Sequence, residues 1–213
     1  MTTLLLIRHG QSMANLESKF AGNFNSPLSP LGEQQAHSTA AYIASTYQVD
    51  AVFSSDLDRA KYTGQAVADR VELPLETDKR LREIDAGEWE GKTFDELNAK
   101  YPDTYGVWLT DIGNAACPNG EAVAQTQARV VAAVKDIAAR YDEKTVVIAS
   151  HGCAIRTLQC FAEGKTLHEM KNVPWVSNAS VSTLTVDNGE IRLVKAGYDK
   201  HLGDNQSKLP ANV

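Results

Sequence analysis

Residues 4–12 read Leu4-Leu5-Leu6-Ile7-Arg8-His9-Gly10-Gln11-Ser12. The four apolar residues predict a short strand covered on both faces, as in a mainly parallel sheet. Ligands of open α/β sheets bind beyond the carboxyl ends of the strands, which is where Arg8 and His9 fall. Gly10 allows a sharp turn or a close approach of the backbone to a ligand. The stretch predicts an anion site beside a nucleophile or base; the alternative is a strand-end histidine bonded to a neighbour.

A second apolar stretch, residues 145–149, is also followed by a histidine and a glycine, in Ser150-His151-Gly152. If the two strands are neighbours in a parallel sheet, their ends lie about 5 Å apart and the two histidines share one site. Gly152 also begins a predicted helix, whose free N–H groups favour an anion.

A third strand, predicted over residues 51–53, is followed by Ser54-Ser55-Asp56-Leu57-Asp58-Arg59. Arg59 falls in the first turn of the next predicted helix, where a cation gains nothing from the helix dipole. We therefore expect Arg59 to serve a ligand or an acidic partner. A solvated arginine paired with Asp56 or Asp58 is the alternative.

Strand and helix patterns alternate along the chain. Ser29-Pro30 predicts a helix start, and apolar residues then recur at helical spacing up to residue 47. A further helix over residues 60–71 completes a β-α-β-α unit, which favours a doubly wound α/β fold. Later in the chain the sequence predicts a short helix near 94–100 stopped by Pro102, a long helix after Gly120, and a hairpin around Asp187-Asn188-Gly189.

Composition limits the class of partner. The 213 residues carry a net charge of −6, which argues against nucleic acid or a membrane surface as a partner. A local arginine cluster can nevertheless hold a phosphate in an acidic protein. The three cysteines show neither metal-ligand spacing nor a disulfide framework. The first apolar run is too short for a signal-peptide core, so we expect a cytoplasmic protein. No cluster of metal ligands is apparent in the sequence, and we expect neither a metal nor a cofactor.

Taken together, these motifs resemble the histidine phosphatase superfamily, the phosphoglycerate mutase-like family. The resemblance covers essentially the whole chain, in the family's order. It rests on Arg8-His9-Gly10, Asn15, Leu28-Ser29-Pro30-Leu31-Gly32, Ser54-Ser55-Asp56-Leu57 with Arg59-Ala60, Leu81 and Glu83 ahead of Gly87-Glu88-Trp89-Glu90-Gly91, and Ser150-His151-Gly152.

The resemblance implies an α/β fold, a three-layer α/β/α sandwich with a mainly parallel sheet. We expect one histidine phosphatase domain over residues 1–213, in which 79–114 forms a loop-rich insertion on the substrate side. The polar tail from residue 197 is expected to be loosely held. The segment 79–114 contains Trp89 and Trp108, which, like Trp175, we expect to be packing residues.

The resemblance also implies roles for particular residues. His9 would be the nucleophile that becomes phosphorylated, and Glu83 the proton donor, with Asp85 and Glu88 as open alternatives. The phosphate pocket would be formed by Arg8, Arg59 and His151, with contributions from Asn15 and Gly152.

Ordinary chemistry agrees with these roles. A neutral imidazole can attack phosphorus when a hydrogen bond fixes its tautomer. Guanidinium groups present planar donor forks to the phosphate oxygens. A carboxyl group can protonate the leaving alkoxide and then activate water.

The sequence predicts a metal-independent phosphatase that hydrolyses small phosphomonoesters through a phosphohistidine. A phosphoglycerate mutase is the alternative, and a non-catalytic phospho-ligand-binding module is a third. The mutases of the family have a basic stretch that grips a second phosphate, whereas residues 92–114 contain two lysines and no arginine. Hydrolysis is therefore favoured, with a small phosphorylated metabolite as the partner. The oligomeric state, including a homo-oligomer, stays open.

Overall fold

The computed structural model describes residues 1–207, in which six strands form one sheet. They are β1 (Thr2–Arg8), β2 (Ala51–Ser54), β3 (Leu75–Thr77), β4 (Thr145–Ser150), β5 (Val181–Asp187) and β6 (Glu190–Tyr198). Their order across the sheet is β3-β2-β4-β1-β5-β6. The β3-β2, β2-β4 and β4-β1 pairs are parallel, and β5 is antiparallel to both of its neighbours. Five of these six strands therefore share one direction, which confirms the mainly parallel sheet.

Alternate side chains of β1 enter two different helical layers. The helices are α1 (Met13–Leu16), α2 (Pro30–Thr46), α3 (Asp58–Val71), α4 (Phe94–Lys100), α5 (Pro102–Thr110), α6 (Val123–Arg140) and α7 (Gly152–Ala162). Leu4 and Leu6 pack with buried residues of α6 and α7, whereas Leu5 and Ile7 pack with those of α2 and α3. The period of two in a strand thus makes the three-layer sandwich that the sequence predicts. None of the described helices is long and apolar enough to cross a membrane.

The segment 79–114 is more regular than the loop-rich insertion that we expected. The predicted helix is present as α4, and Pro102 does follow its end. Pro102 also begins α5, which the prediction missed, because proline fits the first turn of a helix. Tyr105 and Trp108 of α5 join a separate apolar cluster with Phe20. The expectation of loops was therefore wrong for α5.

The tail beyond residue 197 also differs from its prediction. β6 continues to Tyr198, and a 3-10 segment, Lys200–Asn205, follows. His201 stacks on Tyr42 of α2, with ring centroids 4.7 Å apart, and Gln35 Nε2 donates to the Asn205 carbonyl over 2.7 Å. These contacts hold the described part of the tail against α2, so the expectation of a loose tail was wrong there. The rest of the tail lies outside the described residues.

The loop after β1 packs against the first turn of α2 through two glycines. A Cβ atom on Gly10 would lie 2.3 Å from the Gly32 carbonyl oxygen, and one on Gly32 would lie 2.0 Å from that of Gln11. Ser29 caps α2 by accepting a hydrogen bond from the Gly32 amide over 3.1 Å. The close backbone approach therefore requires glycine at both positions.

We expect opposite stability changes from two glycine-to-alanine substitutions. Gly32→Ala should lower the free energy of unfolding by about 1–3 kcal/mol, because backbone has to move to admit the methyl group. Gly106→Ala in α5, where a Cβ meets nothing within 4 Å, should raise it by about 0.5–1 kcal/mol through helix propensity. Urea denaturation followed by circular dichroism measures both. Equal effects of the two substitutions would contradict the close packing at Gly32.

Candidate active site

The two histidine-bearing strand ends lie side by side. β1 and β4 pair in register, with Arg8 opposite Ser150, and the His9 amide donates to the Ser150 carbonyl over 2.9 Å. The ring centroids of His9 and His151 are 5.2 Å apart. The parallel pairing assumed from the sequence is therefore present, and it brings both histidines to one edge of the sheet.

Two hydrogen bonds fix the tautomer of His9. Its Nδ1 lies 2.7 Å from the carbonyl oxygen of Gly10, which can only accept, so Nδ1 carries the proton. Arg59 Nε donates to His9 Nε2 over 3.3 Å, so Nε2 presents its lone pair. The Nε2 of the buried imidazole is thus unprotonated, which is the state that a nucleophile needs.

Arg59 is buried, with 1% of its surface exposed. Its two terminal nitrogens donate to backbone carbonyls, Nη1 to Phe24 over 3.0 Å and Nη2 to Gly22 over 2.7 Å. The alternative of a solvated arginine paired with Asp56 or Asp58 is therefore wrong. Asp56 instead binds Arg82 through two hydrogen bonds of 2.6 Å.

Arg8 is the second buried guanidinium, with 6% of its surface exposed. Its Nη1 donates to the Val176 carbonyl over 2.6 Å, while its Nε is buried without a partner. An unpaired buried donor costs about 1–3 kcal/mol, so this nitrogen would gain from an acceptor in the cleft.

His151 has a partner on one ring nitrogen. Its Nε2 lies 2.8 Å from Ser55 Oγ, which accepts from the Leu57 amide over 3.2 Å. The other ring nitrogen, Nδ1, is buried without a partner. Ser55 is a contact that the sequence reasoning missed, although the residue lies inside a quoted motif.

Burial and the two arginines determine the charges. Desolvation lowers the pKa of Arg8 to about 10 and likewise lowers that of Arg59 to about 10. Desolvation, together with the positive charge of Arg59, holds the pKa of His9 and of His151 well below the usual value. At neutral pH both guanidiniums remain charged and both imidazoles are neutral.

The Glu83 carboxylate lies at the N-terminus of α7. Its Oε2 accepts from the Cys153 amide over 3.0 Å, and its Oε1 accepts from the Ala154 amide over 3.1 Å. We expected these helix N–H groups to favour a bound anion, but two of them instead bind a side chain of the protein itself.

The two alternative carboxylates have other contacts. Asp85 Oδ1 accepts from the Gly87 amide over 3.0 Å. Glu88 is exposed and binds Tyr101 and Asn119. Of the three acids, Glu83 lines the cleft that Arg8 and His9 also line.

The cleft is lined by both polar and apolar side chains. Asn15 lines it and is fixed by Asn178, whose Nδ2 donates to Asn15 Oδ1 over 3.2 Å and to the His9 carbonyl over 3.1 Å. Trp89 is fully buried, as expected of a packing residue. Trp108 and Trp175, which we also expected to be packing residues, line the cleft. The remaining lining residues are Arg59, Gly152, Cys153, Ile84, Gly22, Ala21, Phe20, Phe94 and Lys19.

Of the seven residues that the sequence singled out, six line the cleft. The seventh, His151, is fully buried and does not line it, but its ring centroid lies 5.2 Å from that of His9. Asn178 was missed, because the sequence around it indicates only a turn. The Val176 carbonyl was missed because a backbone oxygen has no residue-type signal. Within residues 1–207, no group of three histidine, cysteine or acidic side chains is arranged to hold a metal ion.

We expect His9 to stay neutral, with its proton on Nδ1, when the pH of the ligand-free protein is lowered from 7.5 to about 6. The reason is that its pKa lies well below the usual value. Nitrogen-proton correlation spectra of the imidazole measure this, with His9→Asn giving the assignment. In urea-unfolded protein the same ring should be mostly protonated at that pH, since the pKa of an unperturbed histidine is about 6.5. A doubly protonated His9 ring in the folded protein at pH 6 would contradict the assigned electrostatics.

Comparison with known proteins places this site in a family. The family model of the histidine phosphatase superfamily (branch 1) matches residues 4–199. Phosphoserine phosphatase 1 of Hydrogenobacter thermophilus is 28% identical over 204 residues, which are 96% of this chain and 96% of that protein. The structure of Bacillus stearothermophilus YhfR has a TM-score of 0.90 and 31% identity, covering 95% of this chain and 100% of its own. A phosphoserine phosphatase mutant from Entamoeba histolytica, solved in complex with phosphoserine, has a TM-score of 0.83 and 28% identity, covering 95% of this chain and 100% of its own. The chain therefore belongs to the histidine phosphatase superfamily.

Proposed function

We propose that this protein hydrolyses small phosphomonoesters through a phosphohistidine formed on Nε2 of His9. The observation that carries the proposal is the contact between Arg59 Nε and His9 Nε2 at 3.3 Å. At that point a nitrogen that can act as a nucleophile and an anion-binding guanidinium are in direct contact. This is the arrangement that an attack on a bound phosphoryl group requires.

Binding of the phosphoryl group falls to Arg8, Arg59 and His151. The two guanidiniums are buried and charged, and Arg8 Nε and His151 Nδ1 are buried nitrogens without partners, which become donors to a bound phosphate when they carry a proton. Phosphoryl transfer is accelerated mainly by stabilising charge on the equatorial oxygens, which these donors can do in a site of low dielectric constant.

The reaction then proceeds in two steps. His9 Nε2 forms a bond to phosphorus while the ester P–O bond breaks, and protonated Glu83 gives its proton to the leaving oxygen. Glu83 next takes a proton from water, whose oxygen bonds to phosphorus while the P–N bond breaks. Inorganic phosphate leaves and His9 recovers its lone pair. The carboxyl group returns to its starting state, so each turnover consumes one water.

The substrate side of the cleft comes from the segment 79–114 together with residues 19–22. Glu83, Ile84, Phe94 and Trp108 all belong to that segment and line the cleft, which supports its role as the substrate-side wall. Two of the relatives named above are phosphoserine phosphatases. Phosphoserine is therefore the first small phosphorylated metabolite to test, by release of inorganic phosphate.

We expect His9→Ala to abolish turnover while leaving the circular dichroism spectrum unchanged. The substitution removes the covalent step, and the His9 side chain lies in the cleft rather than in an apolar cluster. His37→Ala, at an exposed position on α2, is the matched control and should retain activity. A short reaction with ³²P-labelled substrate, quenched in alkali, should leave acid-labile label on wild-type protein. Label on a serine or cysteine instead would refute the mechanism.

Replacing Glu83 by glutamine should slow alkyl phosphates far more than aryl phosphates. An alkoxide is a poor leaving group that needs the proton, whereas para-nitrophenolate leaves as a stabilised anion. The expected loss for an alkyl phosphate is about a hundredfold or more, measured as single-turnover loss of substrate. Glu88→Gln is the matched control and should change neither rate. If Glu83→Gln slows both substrates equally, Glu83 only shapes the pocket.

A further inference from the structure

Glu83 lies in a stretch of backbone that belongs to no regular element. Residues 82–86 connect two 3-10 turns, Lys79–Leu81 and Gly87–Trp89. Neither turn extends its ladder of hydrogen bonds through the connection, so the peptide groups between them need other partners. The position of the Glu83 side chain therefore depends on whatever holds this backbone.

Arg129, on α6, holds it with its guanidinium. Its Nη1 donates to the carbonyls of Arg80 over 2.9 Å and of Arg82 over 2.7 Å. Its Nη2 donates to the Glu83 carbonyl over 2.7 Å, and Nε and Nη2 each donate to the Glu121 carboxylate over 2.8 Å. These five bonds match the five N–H donors of an arginine, which sit in a rigid planar fork. A lysine could not reproduce this set.

Glu121 completes the support from the other side. Its Oε2 accepts from the Asp85 amide over 2.9 Å, and its own amide donates to the Asp85 carbonyl over 2.8 Å. Burial acts to raise the pKa of Glu121, but the hydrogen bonds from Arg129 and from the Asp85 amide outweigh it and lower that pKa below the usual value. Glu121 is therefore ionised at neutral pH and pairs with the charged guanidinium.

The backbone around Asp85 also leaves little room for movement. A Cβ on Gly120 would lie 2.3 Å from the Asp85 carbonyl oxygen, and one on Gly87 would lie 2.2 Å from that of Pro118. Two chain segments thus cross in direct backbone contact beside the carbonyls that Arg129 binds. The segment carrying Glu83 is held at its backbone by α6 and at its carboxylate by α7.

We propose that Arg129 and Glu121 are positioning residues for the proton donor Glu83, a role that rests on the function proposed above. Neither residue lines the cleft, so both act through the backbone of residues 80–85. General-acid catalysis requires the carboxyl group within hydrogen-bond reach of the leaving oxygen, and a displacement of about 1 Å costs up to about a hundredfold in rate.

The test is the same leaving-group comparison, applied to Arg129→Met, Arg129→Lys and Glu121→Gln. Single-turnover loss of an alkyl phosphate should slow about 10- to 100-fold in Arg129→Met, while para-nitrophenyl phosphate should slow less than about threefold. Arg129→Lys and Glu121→Gln should show the same selectivity to a smaller degree. Arg140→Met is the matched control on the same helix. Arg140 pairs with Glu76 at the surface, so its substitution should leave both rates unchanged.

A double substitution separates positioning from a general loss of stability. In Arg129→Met/Glu83→Gln, the alkyl-phosphate rate should equal that of Glu83→Gln alone, because a displaced donor and a missing donor lose the same proton transfer. Multiplied losses, or equal slowing of both substrates by Arg129→Met, would overturn the inference. Circular dichroism checks folding. If Arg129→Met unfolds, the test is made with Arg129→Lys and Glu121→Gln, by comparing the slowing of the alkyl phosphate with that of para-nitrophenyl phosphate. The proposed function fails separately, if wild-type protein forms no phosphohistidine. If Glu83→Gln shows no leaving-group selectivity, only the role of Glu83 as proton donor fails.

Discussion

Two buried positive charges determine the shape of this active site. Arg8 and Arg59 are almost completely removed from water, and their hydrogen bonds within the protein go to backbone carbonyls and to an imidazole nitrogen. Burying an ion costs several kcal/mol unless its donors are satisfied. The carbonyls of Gly22, Phe24 and Val176 offset part of that cost, and these loops are arranged around the guanidiniums as a result. The site is therefore positive before any substrate arrives, in a protein whose net charge is −6.

Much of this arrangement could be predicted from the sequence, because it depends on short local signals. Apolar runs ending in Arg8-His9-Gly10 and Ser150-His151-Gly152 indicated two parallel strands with a shared edge, and β1 and β4 are hydrogen-bonded neighbours. The Ser29-Pro30 pair indicated the start of α2, because capping chemistry is local. The family motif added Glu83, which periodicity alone could not have distinguished from Asp85 or Glu88.

The features that could not be predicted depend on contacts between distant segments. Val176 serves Arg8 through its carbonyl oxygen, and every residue type has one. Pro102 indicated the end of one helix and gave no sign that another begins there, because proline is compatible with both. The tail after residue 197 is polar, yet stacking of His201 on Tyr42 holds it against α2. A polar composition does not exclude packing when aromatic partners are available elsewhere in the chain.

The apolar side of the cleft and the charged groups at the strand ends have different structural origins. The strand ends are supported by the apolar layers on either side of the sheet, whereas Trp108 and Phe20 belong to a third cluster with Trp89 and Tyr105. That third cluster contains no residue of the six strands. This separation allows one covalent chemistry to be combined with many different walls, as expected of functions built on a common fold.

The hydrogen bond from Arg59 to His9 Nε2 has a consequence for the resting protein. The lone pair that would attack phosphorus is engaged by a cation, so neutral alkylating agents and metal cations meet a nitrogen that is both shielded and surrounded by positive charge. An anion of suitable shape can take over the Arg59 N–H with its own oxygen and release that electron pair. Ligand entry and unmasking of the nucleophile are then one event. Under the proposed mechanism, an anion that fits the site would therefore expose the nitrogen that attacks it.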